Sequence, residues 1–559
     1  MSHKPPQPPP SFTTTPSAIL SQTSSLISST IALEDNLSST LTPSTATFSS
    51  LLTPILNDDH AVSRQTLIIR LFSSVSEDKD LRDASRTAEE MLLKANSEAL
   101  MRRDIAALVK AVYEKHQRGE EKLGEEDAYT LFKTHRAYQN TGAGIEDEDV
   151  REKYKADVQE RNEVLVAARK TISESDEGIF FTREQLNGVP ASVLDAMKKN
   201  DDGLLKATFK KGHMISIMKH ATSAQTRKAY NIAKESRFPE NVTRLERAVE
   251  LRNSTARMLG FKTHAELKMQ DKMARSVESV MEMLNKLRTE LKPLADEEMK
   301  TLFEIKKAYI RDNGTDEDGD DVKRLDAWDW AFYARILEKE RYSVDSLLIS
   351  EYFEVNHSLK GMLNIFEEIF GMVFIPTDAP VWQKDVTVYE AWNAADQGAF
   401  WNAKNEGERP GEVLPEKLAL DIARTKHVNG AHAMLYQVFL ALFDLTIHNA
   451  AEGRAVDTTR LWNESKTEIM GLGRADSIGQ ASFAHPFRAY DAAYFTYAFH
   501  FKSDPMRKAT GLRYRQLVLQ PGGSQPELKS LSNFLGREPN DKAYYGEVTS
   551  TPGTKSSVL

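Results

Sequence analysis

From about residue 80 onward, apolar residues recur at three- and four-residue intervals, and that period constrains the fold more than any other feature of the chain. In "SVESVMEMLNKLRTEL", residues 276–291, Val277, Val280, Met281, Leu284, Leu287 and Leu291 form a stripe along one side of a helix. Ser276 stands where an N-cap hydroxyl belongs. In "SLKGMLNIFEEIFG", residues 358–371, Leu359, Met362, Leu363, Phe366, Ile369 and Phe370 do the same, with Gly371 at the C-cap position. Charged residues fill the opposite faces, as on any solvated helix. Strand signals are confined to "MVFIP" (372–376) and "DVTVYEAW" (385–392), which predict a hairpin or two neighbouring strands. The expected fold class is mainly α with a small β element.

The 559 residues are enough for two lobes, and 40% apolar against 28% charged residues is the balance of a soluble protein with a true core. A net charge of −9 argues against a nucleic-acid or anionic-membrane surface, which needs clustered Lys and Arg. The absence of cysteine excludes disulfides, thiolate catalysis and Cys-based metal centres. No signal-like apolar segment opens the chain and its first arginine is Arg64, so the expected location is cytoplasmic. The run "AMLYQVFLALFDLTIH", 433–448, contains Gln437 and Asp444 and reads as a buried helix rather than a membrane span. The expected organisation is a disordered Pro/Ser/Thr-rich tail over 1–18, one helical lobe over 19–400, a second over 401–548, and a tail over 549–559.

Candidate chemistry is sparse. A hydrolase without cysteine would most simply use His-Glu-x-x-His, two imidazoles one helical turn apart with a glutamate to move the proton. None of the thirteen histidines is followed by glutamate. His427 and His432 are five apart and do not converge on a helix; His213 and His220 have no acidic residue between them. The acidic loop "DEDGDD", 316–321, fails the EF-hand spacing. No Gly-x-Ser-x-Gly elbow is present. Residues 394–415 read as a loop that carries no chemistry.

One segment stands out. In "AHPFRAYDAAYFTYAFHF", 484–501, His485 is followed by Tyr490, Tyr494 and Tyr497, spaced i, i+4, i+7, so a helix would align the three phenols. They are either core aromatics with locally bonded hydroxyls, or donors aimed with His485 at a peptide carbonyl and the oxyanion it becomes.

"GQASFAHPFRAYDAAYFTYAF" resembles the signature of the thimet oligopeptidase, neurolysin and saccharolysin group of zinc metallopeptidases, His-x-x-x-Gly-Tyr-Asp-Ala-Gly-Tyr-x-x-Tyr. "ELRNSTARMLGFKTHAEL" (250–267), "LDAWDWAFYARILEKERYSVD" (325–345), "VWQKDVTVYEAW" (381–392), "DTTRLWNE" (457–464), "YRQLVLQPGGS" (514–524) and "FLGREPNDKAY" (534–544) resemble further segments in family order. The resemblance runs from about residue 19 to 548. It implies a two-lobed, mostly helical zincin-like fold around a deep channel, a monomer, and zinc-dependent cleavage of short peptides. It also implies substrate and oxyanion-binding roles for His485, Tyr490 and Tyr497, with Tyr494 in the same loop.

Two departures accompany it. The His-Glu-Phe-Gly-His zinc helix of the group, and the helix with its glutamate ligand, belong between "VTVYEAW" and "GEVLPEKLAL", and neither is in this sequence. The catalytic lobe is therefore expected to be incomplete, with no metal ligands in this chain. Ala489 and Ala493 also stand where the group has flexible glycines. The resulting readings are a family member with little peptidase activity, a zinc-free peptide-binding pseudoenzyme, or an incomplete gene model of an active peptidase. Loss of the block is expected to leave strand 385–392 with an open edge.

Overall fold

A computed structural model gives the structure of the chain. It describes residues 9–539 apart from 271, 275, 315–323, 343–348, 350–351, 394–416, 418–428, 472–476, 489 and 499–507. The chain divides into two compact units, each assembled from separated stretches. One takes residues 1–155, 355–410 and 504–539; the other takes 156–354, 411–503 and 540–559. Each unit draws on both sides of residue 400.

The first unit opens with the helix Pro16–Thr40, which starts within the stretch expected to be tail. Thr15 caps it by accepting the Ala18 N–H at 3.2 Å, and proline at the first turn lacks only a donor that the helix does not use. Helices Thr53–Val75, Lys79–Leu100, Arg103–Gln117 and Glu125–Gln139 follow. Leu37, Phe48, Leu52, Ile105, Val109 and Leu131 are buried among them. Later in this unit the helix Val355–Phe370 ends at Gly371, whose φ of 61° is the left-handed cap the sequence signalled. Strands Met372–Thr377 and Val388–Asn393 then pair antiparallel, Met372 opposite Asn393 and Thr377 opposite Val388. The predicted hairpin is present, and among the described residues its sheet has two strands. Helix Lys508–Tyr514 packs on Val355–Phe370 through Gly511, where a Cβ would come within 2.3 Å of the Ile369 carbonyl oxygen.

The second unit holds the largest core. Its centre is the helix Gly430–His448, packed along the 37-residue helix Val277–Asn313. Ser276 caps the latter as expected, accepting the Ser279 N–H at 3.1 Å. The helix nevertheless continues past the predicted end through Pro293, because the apolar stripe resumes at Ala295 and Leu302, both buried. One lost N–H bond is outweighed by that burial. Gly430–His448 is long and apolar enough by composition to cross a membrane. However, 67% of its most apolar window is buried inside the protein, which is the position of a core helix. A second antiparallel pair, Gly178–Phe181 with Leu205–Thr208, lies in this unit without a strand signal in its residues.

Candidate functional site

The tyrosine segment does not form the α-helix its spacing predicts. His485–Phe487 is a single 3₁₀ turn, residues 490–493 form a tight turn, and Tyr494–Ala498 is again 3₁₀. The cause lies 48 residues upstream. The buried carboxylate of Asp444, on the helix Gly430–His448, accepts three successive backbone N–H groups: Ala492 at 3.1 Å, Ala493 at 3.0 Å and Tyr494 at 3.1 Å. An α-helix through 490–497 would direct the Tyr494 N–H to the carbonyl of Tyr490; Asp444 takes it instead. Ala492 is held at φ 52°, a conformation that costs an L-residue about 1–2 kcal/mol and is offset here by charge-assisted hydrogen bonds. Ala493, one of the two alanines expected to resist positive φ, does not adopt it. Ala489 lies outside the described residues.

This turn gathers His485, Tyr490 and Tyr494 but assigns them different positions. The His485 ring meets Tyr494 edge-on at 4.8 Å and Tyr490 at 5.6 Å. Tyr494 is buried, and its hydroxyl donates to Gln437 Oε1 at 2.8 Å, so that phenol is committed to the core helix. Tyr490 is 45% exposed and His485 half-buried, which puts these two at the accessible edge. Burial first, then the nearby Arg488, push the His485 imidazole below its ordinary pKa, with Asp444 opposing, so the ring is neutral at pH 7. Tyr497 lies in the same 3₁₀ segment as Tyr494. Its side chain lies outside the described residues.

Beneath the turn lies a buried polar network whose members are far apart in the sequence. Arg252 donates through Nη1 to His448 Nε2 at 3.0 Å. An arginine only donates, so Nε2 is the acceptor, and His448 Nδ1–H faces the carbonyl oxygen and Oδ1 of Asp444 at 2.8 and 3.1 Å. His264 Nε2 donates to Asp491 Oδ2 at 2.6 Å, with Arg252 Nη2 3.5 Å and Lys268 3.6 Å from the same carboxylate. Burial pushes His264 down to about 3, against the opposing pull of Asp491, so this imidazole too is neutral. Against the cost of burial, Arg252 and His264, with Lys268, hold Asp491 well below the usual carboxylate range. Two carboxylates face two cations with neutral imidazoles between them, and the charges balance. The available signals were Asp444 and His448 at i, i+4 inside the apolar run, and Asp491 within the signature.

Zinc needs about four converging N, O or S donors. Among the described residues no three His, Asp or Glu side chains come together in that way. The nearest approach is the network itself, where the Arg252 guanidinium bridges His448 and Asp491 and a dication would have to displace it. His432 stacks on Trp330 at 5.5 Å and is pushed by burial to about 4, while His213 accepts the Thr208 N–H. The described residues do not fit a zinc site. His427, the loop 316–321 and the junction 394–416 lie outside them.

The model of peptidase family M3 matches residues 217–403 and 401–549, more than half of the chain. The chain belongs to that family. M3 peptidases are generally zinc-dependent oligopeptidases, and the resemblance drawn from the signature segment is confirmed at that level. The chain is 27% identical to saccharolysin of Saccharomyces cerevisiae, over 97% of its own length and 94% of that protein. It is 26% identical to oligopeptidase PhomG' of Diaporthe leptostromiformis, over 96% of its own length but 55% of the relative. Among solved structures it is similar to oligoendopeptidase-F from Enterococcus faecium, with TM-score 0.48, 12% identity, and coverage of 96% of this chain and 94% of that one. The family match is made in two pieces that meet at 401–403. The alignment with saccharolysin runs over 688 positions, more than the 559 residues of the whole chain, so positions of that relative beyond the length of this chain have no counterpart here.

Proposed function

We propose that this chain is an oligopeptidase-family protein that holds short peptides at the His485–Tyr490 edge without hydrolysing them by the metal-dependent route of its family. The observation that carries the reading is the break in the family match at 401–403, where the sequence also lacks the expected His-Glu-x-x-His pair. A metal-bound water ionises near pH 7 instead of near 15.7, which at about 1.36 kcal/mol per unit is roughly 12 kcal/mol of acidity. One oxyanion donor supplies about 3–4 kcal/mol. His485 and Tyr490 can hold a carbonyl; they cannot generate the hydroxide that attacks it.

The expected result is no stoichiometric zinc in purified protein, no chelator-sensitive cleavage of a quenched peptide, and calorimetric binding of short peptides that weakens in Tyr490→Phe. One zinc per chain with chelator-sensitive turnover would overturn the reading. Peptide affinity untouched by Tyr490→Phe would remove the assigned edge.

A second reading has its own support. The two matched pieces abut at 401–403 with no eroded remnant between them. A clean joint is what a skipped segment of coding sequence leaves. Sequencing the transcript across the codons for Phe400 and Trp401 distinguishes the two: an inserted block bearing His-Glu-x-x-His restores an active peptidase, and an uninterrupted transcript favours the non-hydrolytic protein.

A further inference from the structure

Helices Pro16–Thr40, Thr53–Val75, Lys79–Leu100 and Glu125–Gln139 leave between them a cavity of about 530 Å³, within the range of small-ligand sites. Ile27, Ile31, Ile55, Val62 and Leu92 supply its apolar walls, and Glu34, Asp59 and Glu98 face it together with Arg102 and Lys133. Glu34 is 5% exposed, yet its Oε2 accepts no hydrogen bond. The nearest cation, Arg102, stands 3.5 Å away, but its Nη1 is bonded to Asp35 at 2.6 Å, and its Nε and Nη2 to Asp104 at 3.1 and 2.5 Å. Burial raises the Glu34 carboxyl against the pull of Arg102, with Asp104, Asp59 and Asp35 adding to the rise. Asp59 is raised by its own burial and then by Asp58. A carboxylate oxygen in this setting ordinarily has a donor. A largely apolar wall around one buried carboxylate oxygen without a donor, Glu34 Oε2, with the exposed Asp59 beside it, suits an apolar molecule that brings its own positive charge.

We propose that this cavity is a binding site for a hydrophobic ammonium, its charged group held by Glu34 and Asp59 and its apolar body against Ile27, Ile55, Val62 and Leu92. The cavity lies wholly within helices of the first unit, and the proposal does not depend on the peptide reading of the His485 turn. A free alkylamine and the N-terminus of an apolar peptide share this chemistry.

Calorimetry on the full chain tests it with octylammonium, its neutral isostere 1-octanol, and octanoate. Octylammonium is expected to bind at one site at least about tenfold more tightly than octanol, the scale of one hydrogen bond to a charged group, with octanoate weakest. Glu34→Gln should abolish the preference for the cation while leaving octanol binding in place. Ala99→Leu, which fills part of the cavity, should weaken all ligands together. Leucyl-leucine amide beside its N-acetyl derivative identifies the source: loss of binding on acetylation marks a peptide N-terminus, and binding of the alkylamine alone marks a free amine. Equal affinity for octylammonium and octanol in the unaltered protein, an unchanged preference in Glu34→Gln, or no binding of either amine at millimolar concentration overturns the proposal.

Discussion

The helices Val355–Phe370 and Gly430–His448 stand on either side of the break in the family match, and their apolar residues have opposite fates. In Gly430–His448 thirteen residues are buried, with Phe439 and Phe443 at most 1% exposed. In Val355–Phe370 the one buried residue is a carboxylate, Glu367, which accepts the Phe374 N–H at 2.8 Å. Val355 is 77%, Met362 45% and Phe366 39% exposed. Gly430–His448 is the more apolar of the two, with thirteen apolar residues in nineteen against eight in sixteen, and it also has the fuller cover. Gly430–His448 finds its cover on a helix that begins more than a hundred residues upstream. Across the joint, Val355–Phe370 keeps contact with the hairpin and with Lys508–Tyr514 but leaves much of its apolar surface in water.

The largest expected effect tests that contrast directly. Phe439→Ala should lower the urea-unfolding free energy by about 3–5 kcal/mol, whereas Phe366→Ala should cost about 1 kcal/mol or less. Equal losses would mean that the upstream face is covered in solution. Next is Asp444→Asn, which weakens the grip on the amides of 492–494 and should cost about 3 kcal/mol. Hydrogen exchange at those amides should accelerate; unchanged protection would show that the turn holds its shape without the carboxylate.

Acid should act on the buried side. His264 and His432 are pushed down by burial to about 3 and about 4, so the unfolded chain, with ordinary imidazoles near 6.5, takes up protons first. Stability is then flat above pH 6.5 and falls as pH drops toward those values, by about 3 kcal/mol per imidazole at pH 4.5. Asp491 works in the other direction, but its contribution persists until pH falls below the ordinary carboxylate range and gives no offset in this window. His432→Phe should remove about half of the loss between pH 7 and 4.5, measured by denaturant titration at each pH. An identical profile would place the sensitivity elsewhere. The smallest effect is Ala492→Gly, which relieves the left-handed strain and should raise stability by about 1 kcal/mol at most, read as a modest rise in Tm. A fall in Tm would mean that Ala492 is not strained.

Much of the helical frame was legible because its signals are local: the Ser276 cap, the Gly371 terminator and the stripes between them. The hairpin Met372–Asn393 was legible for the same reason. The hairpin Gly178–Thr208 was not, because four-residue strands joined by a long connection carry no turn signature. The turn at 490–494 was misread for a different reason. Its tyrosine spacing is helical, and what overrides it is a single distant carboxylate whose reach across the fold leaves no mark on neighbouring residues. Arg252, His264 and Asp444 were invisible as a group because they come from three separated helices.

The beginning of Gly430–His448 has no side-chain cap from Asn429; the Glu298 carboxylate, from the helix Val277–Asn313, receives the N–H groups of Ala431 and His432 at 3.1 and 2.9 Å. The first turn of the central helix is therefore anchored laterally, by a neighbouring helix, as well as by the Asn429 carbonyl that accepts the Ala433 N–H at 3.2 Å. A chain respliced just upstream can change its approach entirely and still find this helix starting at the same residue, in the same rotational setting, with Asp444 delivered to the same three amides.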